Sequence, residues 1–505
     1  MAKSKRPLFE YVEALESKNL IKKTNIDGAL MNSFINHVSY NSKDVIPNTL
    51  FVCKGIHFKE DYLREALTNG AVIYIGEEVQ LMDKPDIPYI LVHDMRKTLA
   101  VLANIYYKEI WKSLKLVGIT GTKGKSTTSY YVKSILDLYL LSQNKPLSAI
   151  LSGIFNYDGI INEESHLTTP ETFELHQHFQ NSVDSGIEYL TMEVSSQALK
   201  YHRTEGVSFS VGVFLNIGHD HISDIEHQSY EDYRDSKLRL FSQCHVALVN
   251  SGTPDFNRVI NEARAKSPKV LVFGMEEESD IFAYDLVQDE EGTSFKVRSP
   301  KYNGEFRVGM KGLFNVENAL AAIAVAHEID IPINFVKDGI ELARVPGRME
   351  LFYDKSKDLV IIVDYAHNQL SFEKLFETVQ IEYKNRPIHI VFGCPGYKAL
   401  GRRQELGEIA GKYADMVYIT EEDAGEEPLA NISGEIAQYI QKARTNYEII
   451  DDREEAIKRA IQMAPQNCIL LITGKGRETR QKRDSLYIDT LSDVEIVERI
   501  LSHEE

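Results

Sequence analysis

The chain has 505 residues, of which 43% are hydrophobic and 26% are charged, and its formal net charge is −18. This length predicts about three domains, and the composition is that of an ordinary globular protein. The acidic balance argues against non-specific binding to nucleic acid or membranes. The four cysteines are dispersed, and the sequence contains neither a signal segment nor a long apolar run. These features predict a cytoplasmic protein.

The first block of the chain, residues 1–112, contains short predicted strands and two helices. We expect strands at 49–53, 71–76 and 89–92, where apolar residues are concentrated. Helical periodicity covers 61–68 and 98–108. The block therefore predicts a small N-terminal α/β domain.

The second block, residues 113–345, alternates strands and helices as a parallel α/β sheet does. Strands are predicted at 116–120, 189–194, 211–217 and 245–250, followed by hairpins over 280–310 and a helix over 315–328. The Pro/Gly segment 344–348 then predicts a hinge. A third block, 346–505, repeats the alternation in the manner of a Rossmann-like domain. The predicted fold class is thus α/β with three domains, the central one resembling P-loop NTPases.

The most informative motif is the glycine-rich stretch 118–127, which reads GITGTKGKST directly after an apolar strand and before a predicted helix over 125–141. Backbone N–H groups of such a loop cradle polyphosphate at a helix N-terminus. Lys125 would neutralise phosphate charge, and the Ser126 hydroxyl would reach Mg²⁺. Ile119 occupies the position where the common form of the motif has its first glycine.

Acidic and imidazole side chains follow two other strands of the same predicted sheet. Glu193 ends the strand at 189–194 and could hold Mg²⁺, although an exposed strand-end glutamate is the alternative. His221 closes the segment NIGHDH, either as a metal-binding imidazole or as half of a surface histidine pair. The helical segment 230–241 contains Lys237, for which spacing alone predicts a solvated helix face.

Two further segments offer polar groups at the starts of helices or after the hinge. Thr168 and Thr169 precede a proline, which predicts a capping turn with hydroxyls available for phosphate or carbonyl groups. Arg348 in the hinge could form a forked pair with phosphate, and Asp364 and His367 follow the next strand. An arginine in a hinge suits a site that closes between domains.

A last glycine-rich motif, GKGRET at 474–479, follows the strand 469–473. Its glycines allow a ligand to approach the backbone, and Glu478 could bind an ammonium group. Taken alone, this motif is a weak signal.

Together these stretches resemble the Mur ligases, and in particular the subgroup of UDP-N-acetylmuramoyl-tripeptide synthetases (MurE type), over essentially the whole chain. The residues that carry the resemblance lie at 121–127, 168–172, 192–199, 216–221, 347–350 and 364–367. Asn-Ser-Lys at 41–43 is similar to the Asp-Ser-Arg uridine-site segment of the family, with two substitutions.

The resemblance implies roles residue by residue. ATP would be bound by Gly121, Thr122, Lys123, Gly124, Lys125, Ser126, Thr127, Asn318, Arg348, Asp364 and His367. The UDP-muramoyl-dipeptide would contact Ser42, Thr168, Thr169, Ser196 and Arg203. Mg²⁺ would be bound by Ser126, Glu193, His221 and Lys237, the last as a carbamylated lysine. Lys125, Glu193, His221 and Lys237 would be catalytic, and Asp423, Gly474 and Glu478 would bind the amino acid.

The implied reaction forms an acyl phosphate from ATP, which the amine of a free amino acid then attacks; no residue is identified as the base for that amine. Family members that add meso-diaminopimelate usually carry Asp-Asn-Pro-Arg, whereas residues 420–428 here are acidic and lack arginine. This difference favours L-lysine, then L-ornithine, with meso-diaminopimelate as the alternative. A folylpolyglutamate synthetase-like ligase, a non-catalytic partner subunit and a generic ATPase switch are the competing interpretations. We expect a monomer without nucleic-acid or membrane partners.

Overall fold

The computed structural model describes residues 5–55, 58–84, 86–218, 222, 226–289, 292–310 and 312–502. Three sheets of five or more strands occupy successive parts of the chain, each with helices packed on it. The predicted α/β class is confirmed, because apolar strands alternate with amphipathic helices in all three parts.

The N-terminal part contains a five-stranded sheet in the order β2-β7-β6-β5-β4, in which only β2 runs antiparallel to its neighbour. Leu50, Ile73 and Ile90 form its core with residues of α1 and α4. The strands are β1 (Arg6–Pro7), β2 (Ile21–Thr24), β3 (Phe34–Ile35), β4 (His37–Ser39), β5 (Thr49–Val52), β6 (Ala71–Gly76) and β7 (Tyr89–Val92). The helices are α1 (Leu8–Ser17), α2 (Gly28–Met31), α3 (Glu60–Thr68) and α4 (Met95–Tyr106).

The central part contains an eleven-stranded sheet in the order β11-β10-β9-β12-β8-β13-β14-β15-β16-β17-β18. Its strands are β8 (Lys115–Thr120), β9 (Ala149–Leu151), β10 (Phe155–Tyr157), β11 (Asn162–Glu164), β12 (Tyr189–Glu193), β13 (Phe209–Phe214), β14 (Cys244–Asn250), β15 (Lys269–Gly274), β16 (Ile281–Asp289), β17 (Gly292–Arg298) and β18 (Asn303–Val308). The run from β9 to β16 is parallel, and antiparallel hairpins extend both edges.

The helices of the central part pack on both faces of this sheet. They are α5 (Lys125–Ser142), α6 (Thr172–Asp184), α7 (Ser196–Lys200), α8 (Tyr230–Leu238), α9 (Phe256–Lys266), α10 (Phe314–Glu328) and α11 (Ile333–Leu342). The alanine-rich α10 is almost wholly buried and packs against α5. The core under the phosphate-loop helix is therefore continuous with the core of the sheet.

The C-terminal part contains a six-stranded sheet in the order β19-β20-β24-β21-β22-β23, parallel except for β19, and a separate hairpin of β25 and β26. The strands are β19 (Glu350–Asp354), β20 (Leu359–Asp364), β21 (Ile388–Phe392), β22 (Met416–Ile419), β23 (Asn446–Ile449), β24 (Ile469–Thr473), β25 (Arg480–Arg483) and β26 (Leu486–Asp489). The helices are α12 (Gln369–Glu382), α13 (Gly401–Tyr413), α14 (Leu429–Ala443), α15 (Arg453–Met463) and α16 (Asp493–Ser502).

Two predicted elements end three residues earlier than expected. The strand predicted over 211–217 ends at Phe214, because the following residues turn to brace the phosphate loop instead of continuing the ladder. The helix predicted over 230–241 ends at Leu238, and a 3-10 helix covers Arg239–Gln243. Over the described part of the chain, no helix combines the length and apolar character needed to cross a membrane.

Candidate functional site

The phosphate loop joins β8 to α5, as predicted. It comprises Gly121, Thr122, Lys123 and Gly124, and Lys125, Ser126 and Thr127 form the first turn of α5. Gly124 has a φ of 84°, and a Cβ there would lie 2.2 Å from Asn318 Oδ1. Only glycine fits this position, because both the left-handed backbone and the adjacent amide exclude a side chain. The predicted nucleotide residue Asn318 therefore does lie against the loop.

Side chains from neighbouring elements hold the loop in place. The backbone N–H of Lys123 donates to Asn216 Oδ1 at 2.9 Å, and Asn216 Nδ2 donates to the Lys123 carbonyl at 3.2 Å. Thr122 Oγ1 accepts from the Gly218 N–H at 3.0 Å and from the Tyr233 hydroxyl at 3.2 Å. These contacts fix the loop before any ligand binds, which lowers the ordering cost of binding polyphosphate.

Glu193 and Lys237 are both buried beside the loop. Glu193 ends β12 opposite Ile119 of β8, is 2% exposed, and its Oε1 accepts from the Gly153 N–H at 2.8 Å. Lys237 is also 2% exposed, and its Nζ donates to the Gly121 carbonyl at 3.0 Å. The alternative of an exposed strand-end glutamate is thus wrong. The prediction of a solvated face for Lys237 is also wrong, because the C-terminal turn of α8 packs beneath the loop.

Three of the four residues predicted to bind magnesium lie within the described part of the chain. His221 lies outside the described residues. Among the residues that are described, there is no group of three or more His, Cys, Asp or Glu side chains that could hold a metal ion. Ser126 and Glu193 supply oxygen donors of the kind that Mg²⁺ prefers. Lys237 fits such a site only as a carbamate, since an ammonium group repels a cation.

Thr169 and Arg203, both predicted to bind the UDP-substrate, lie together at the end of β12. Thr169 Oγ1 donates to the Glu193 carbonyl at 2.9 Å and accepts from the Ser195 N–H at 3.0 Å. Arg203 Nη1 donates to the Thr169 carbonyl at 3.1 Å. The predicted capping role of the threonines is wrong: α6 begins after Glu171 without any side-chain cap, and Thr169 instead ties this turn to the sheet.

The other three residues predicted for this substrate are placed differently. Thr168 is half-buried and adjoins Gly153, the residue whose N–H binds Glu193. Ser196 begins α7, and its Oγ lies 3.0 Å from His227 Nε2. Ser42 lies in the N-terminal part, where its hydroxyl donates to Glu65 Oε2 at 2.5 Å.

An ion-pair network connects the N-terminal part to the residues around Thr169. Lys54 Nζ lies 3.3 Å from Glu171 Oε2, and Arg203 Nη2 lies 2.6 Å from Glu171 Oε1. Phe173 of α6 also packs into the core of the N-terminal sheet. The N-terminal part is therefore anchored next to the segment predicted to hold the substrate.

Arg348 of the hinge and the residues that follow β20 form one cluster in the C-terminal part. The Arg348 guanidinium lies 4.8 Å from the Tyr365 ring centroid, and His367 Nδ1 lies 2.7 Å from the Tyr365 carbonyl oxygen. Asp364 accepts from the backbone N–H of Met349 at 2.9 Å. Desolvation raises the pKa of Asp364, while Arg348 and the loop residue Lys123 oppose this rise. Because Lys123 acts on Asp364, this carboxyl lies within electrostatic range of the phosphate loop.

The residues predicted for amino-acid binding surround one buried lysine. Lys475 is 3% exposed, and its Nζ lies 3.0 Å from Asp423 Oδ1 and 2.7 Å from Glu478 Oε2. The Tyr365 hydroxyl also donates to Glu478. Both predicted carboxylates are therefore already engaged by an internal cation.

Sequence reasoning missed Glu422, which follows β22 and is 8% exposed. Its Oε2 accepts no hydrogen bond from any residue that the structure describes. Desolvation raises the pKa of Glu422 to about 7. A Cβ on Gly474, whose φ is 109°, would lie 2.4 Å from this oxygen, so glycine is needed there. The acidic run 420–428 was a signal, but spacing could not tell which carboxylate turns inward.

A cavity of about 460 Å³ separates the central and C-terminal parts beside these groups. The residues that line the cavity include Tyr130, Gly153, Tyr365, Lys475, Arg477 and Glu478. Thr479 closes one side of the cavity, where its N–H donates to Glu164 Oε1 at 3.4 Å. Because Gly153 also binds Glu193, the cavity reaches from the strand-end carboxylate of the central sheet to Lys475 and Glu478 of the C-terminal part.

Comparison with known proteins gives consistent matches. Residues 119–326 match the Mur ligase middle domain, and residues 347–476 match the family described as Mur ligase, glutamate ligase domain. A UDP-N-acetylmuramoyl-L-alanyl-D-glutamate–L-lysine ligase of Streptococcus thermophilus is 36% identical, over 92% of each chain. The corresponding 2,6-diaminopimelate ligase of Clostridium perfringens is 33% identical, over 90% of this chain and 93% of the relative. A solved structure of a 2,6-diaminopimelate ligase aligns with a TM-score of 0.67 at 24% identity, over 99% of both chains.

Proposed function

Since the chain belongs to the Mur ligase family, we propose that it joins L-lysine to UDP-N-acetylmuramoyl-L-alanyl-D-glutamate with consumption of ATP. The observation that carries this proposal is the convergence of the phosphate loop, Glu193 and Lys237 at the carboxyl ends of β8 and β12. Residues 1–112 would bind the UDP end of the substrate, 113–345 the ATP, and 346–505 the amino acid.

The reaction begins when a substrate carboxylate oxygen attacks the γ-phosphorus of ATP, so that an acyl phosphate forms and ADP leaves. Lys125 Nζ now donates to the loop carbonyls of Gly121 at 3.0 Å and Thr122 at 3.3 Å. We infer that this ammonium turns to the phosphates when ATP binds, which stabilises the charge of the transferring group. Arg348, Asp364, His367 and Asn318 would hold the nucleotide against the loop.

Magnesium, when bound, would neutralise phosphate charge during the transfer. Ser126, Glu193, His221 and Lys237 would hold it. Glu193 is buried with its carboxylate at the strand end, and Lys237 lies next to the loop carbonyl of Gly121. Carbamylation would convert the Lys237 ammonium into a carboxylate, which could hold Mg²⁺ at the place where an ammonium would repel it.

In the second step the neutral amine of the amino acid attacks the acyl carbon, a tetrahedral intermediate forms, and phosphate leaves. The amine loses one proton in this step. The cavity between the central and C-terminal parts would hold the amino acid, because its walls reach from Gly153 beside Glu193 to Lys475 and Glu478.

The proposal of L-lysine rests on the charges around this cavity. Glu164, Glu478 and Glu495 line it together with Lys475 and Arg477, and Asp423 lies beside it, paired with Lys475. Lys475 also pairs with Glu478, so the two cations compensate only part of this negative charge. A side-chain ammonium would complete the compensation, whereas the second carboxylate of meso-diaminopimelate would be repelled. L-Ornithine carries the same ammonium on a shorter chain and would be the next best substrate.

The test is a ligase assay with purified protein, ATP, UDP-N-acetylmuramoyl-L-alanyl-D-glutamate and each radiolabelled amino acid. We expect labelled UDP-muramoyl-tripeptide with L-lysine, and no product from the Lys125→Ala variant. Preferential incorporation of meso-diaminopimelate would overturn the choice of amino acid. Absence of product with every amino acid, together with absence of ATP binding, would overturn the function.

A further inference from the structure

A buried chain of hydrogen bonds joins α7 to α8. His227 has no exposed surface, its Nε2 lies 3.0 Å from Ser196 Oγ, and its Nδ1 lies 3.2 Å from Asp232 Oδ2. The same oxygen of Asp232 accepts from Lys200 Nζ at 2.6 Å and from the Gln228 N–H at 3.2 Å. Both ring nitrogens of His227 therefore have partners within the protein.

The donors and acceptors of this chain determine the tautomer of His227. Burial alone would raise the pKa of Asp232, but the hydrogen bonds from Lys200 and Gln228 outweigh it, so the pKa is lowered. A carboxylate only accepts hydrogen bonds, so Nδ1 must carry a proton. Burial lowers the pKa of His227 in spite of the nearby Asp232, which favours the neutral ring. Nε2 then has a lone pair, and the Ser196 hydroxyl must donate to it.

This arrangement has a consequence for Ser196, which the resemblance to the Mur ligases assigns to the UDP-muramoyl-dipeptide. Once its only proton points to His227, Ser196 Oγ can offer only its lone pairs to a ligand. A hydroxyl in that state binds an N–H group and disfavours a second acceptor such as a carboxylate or phosphate oxygen. The UDP-muramoyl-dipeptide carries such N–H groups in its peptide and acetamido units.

We propose that His227 is a positioning residue that fixes the Ser196 hydroxyl as a hydrogen-bond acceptor for an amide N–H of the UDP-linked peptide substrate. This inference rests on the proposed function for the identity of the substrate. Asp232 orients the ring, and it lies on the same helix as Lys237, five residues away. The chain thus connects recognition of the peptide to the helix that supports the phosphate loop.

Two variants separate this role from simple packing. The amide oxygen of Gln can replace Nε2 as an acceptor, and the amide nitrogen of Asn can replace Nδ1–H as a donor. We expect His227→Gln to keep the KM for the UDP-substrate within about twofold, and His227→Asn to raise it about five- to tenfold, the size of one lost hydrogen bond. The KM values for ATP and L-lysine should stay unchanged in both.

A double-mutant cycle supplies the second criterion. Ser196→Ala should raise the KM for the UDP-substrate to a similar extent, and the Ser196→Ala/His227→Asn variant should be no worse than Ser196→Ala alone. The proposal would be overturned if the effects of Ser196→Ala and His227→Asn on this KM were fully additive. It would also be overturned if His227→Gln and His227→Asn raised the KM equally and in proportion to their loss of melting temperature. A wild-type protein that makes no tripeptide would instead overturn the proposed function.

The tautomer itself can be measured without any activity. In ¹⁵N spectra of the full chain with labelled histidine, we expect the His227 ring to carry its proton on Nδ1 and to have an unprotonated Nε2. Assignment of the signal uses its loss in His227→Gln. Protonation at Nε2, with or without Nδ1, would overturn the proposal whether or not the enzyme is active.

Discussion

The ammonium nitrogen of Lys237 lies 3.0 Å from the carbonyl oxygen of Gly121, the first glycine of the phosphate loop. A charged group that is 2% exposed and ends on the loop backbone is positioned to act on whatever the loop binds. An ammonium can only stabilise anions there, whereas a carbamate formed with CO₂ could also hold Mg²⁺.

The first prediction concerns carbamylation of Lys237. We expect Lys237→Ala to lose at least about a hundredfold in kcat, since removal of one preorganised electrostatic group costs that much. Short carboxylic acids such as acetate should restore part of the activity by occupying the vacated space. Lys115→Ala is the control, because Lys115 lies at the opposite end of β8, against Tyr189. Equal activity of Lys237→Ala and the wild type would contradict the role of this side chain.

The second prediction concerns the loop glycine. In Gly124→Ala, the new Cβ would lie 2.2 Å from Asn318 Oδ1 at a φ of 84°, so the backbone must distort. We expect a loss of about 1–2 kcal/mol from the left-handed conformation alone, together with weaker ATP binding. Chemical unfolding and ATP titration measure the two effects.

Gly434 provides the matched control for this substitution. It lies within α14, and a Cβ there has no heavy atom within 4 Å. Gly434→Ala should therefore stabilise the protein by about 0.5–1 kcal/mol through helix propensity and leave ATP binding unchanged. A loss of ATP affinity in both variants would show that the loop geometry is not the cause.

The third prediction concerns the pH dependence of stability caused by Glu422. Desolvation raises its pKa from the ordinary value of 4.5 to about 7, although Arg453, Arg402 and Lys475 oppose the rise and Asp423 adds to it. The folded protein therefore binds this proton more tightly than the unfolded chain. The resulting contribution to stability is present below pH 4.5 and is lost as the pH rises to about 7.

Glu422→Gln keeps the shape of this side chain and removes its titration. The difference in melting temperature, variant minus wild type, should therefore become more positive as the pH is raised from 5 to 8. L-Lysine should stabilise the wild type at pH 8 more than it stabilises Glu422→Gln, because the ionised carboxylate binds the ammonium. If the melting temperatures of the two proteins changed in parallel with pH over this range, Glu422 would not titrate there.

The fourth prediction concerns the buried pair of Arg453 and Asp493. Arg453 Nε and Nη2 donate to the two carboxylate oxygens at 2.7 and 2.8 Å, and Asp493 also accepts from the Gly476 N–H at 2.9 Å. Asp493→Asn leaves the arginine buried without its counter-charge, which costs about 3–5 kcal/mol. Urea unfolding measures the loss.

An exposed ion pair is the control for this substitution. Arg64 and Asp83 also form a bidentate ion pair, at 3.0 and 2.8 Å, on the surface of the N-terminal part. Asp83→Asn should have little effect, because water solvates both partners when the pair is broken. Similar losses in the two variants would show that burial is not what makes the pair around Asp493 important.

The sequence by itself determined the α/β class, the phosphate loop and most strand positions, since these follow from local spacing and from apolar periodicity. The strands Ala71–Gly76, Tyr89–Val92 and Ile469–Thr473 were predicted with the observed bounds. The resemblance identified the family because its motifs are short and contiguous, so that they can be recognised from the local sequence.

The tertiary structure alone decided which polar side chains are buried and what they contact. Local spacing does not predict that Lys237 and His227 are buried, yet both are, and so is Glu193 at the end of β12. Their burial results from the order in which strands join the sheet and from the packing of α7 and α8 on it. Such contacts join residues far apart in the chain, as Lys237 and Gly121 are, and desolvation depends on all the surrounding atoms. A local sequence pattern therefore encodes neither these long-range contacts nor the desolvation of the side chains.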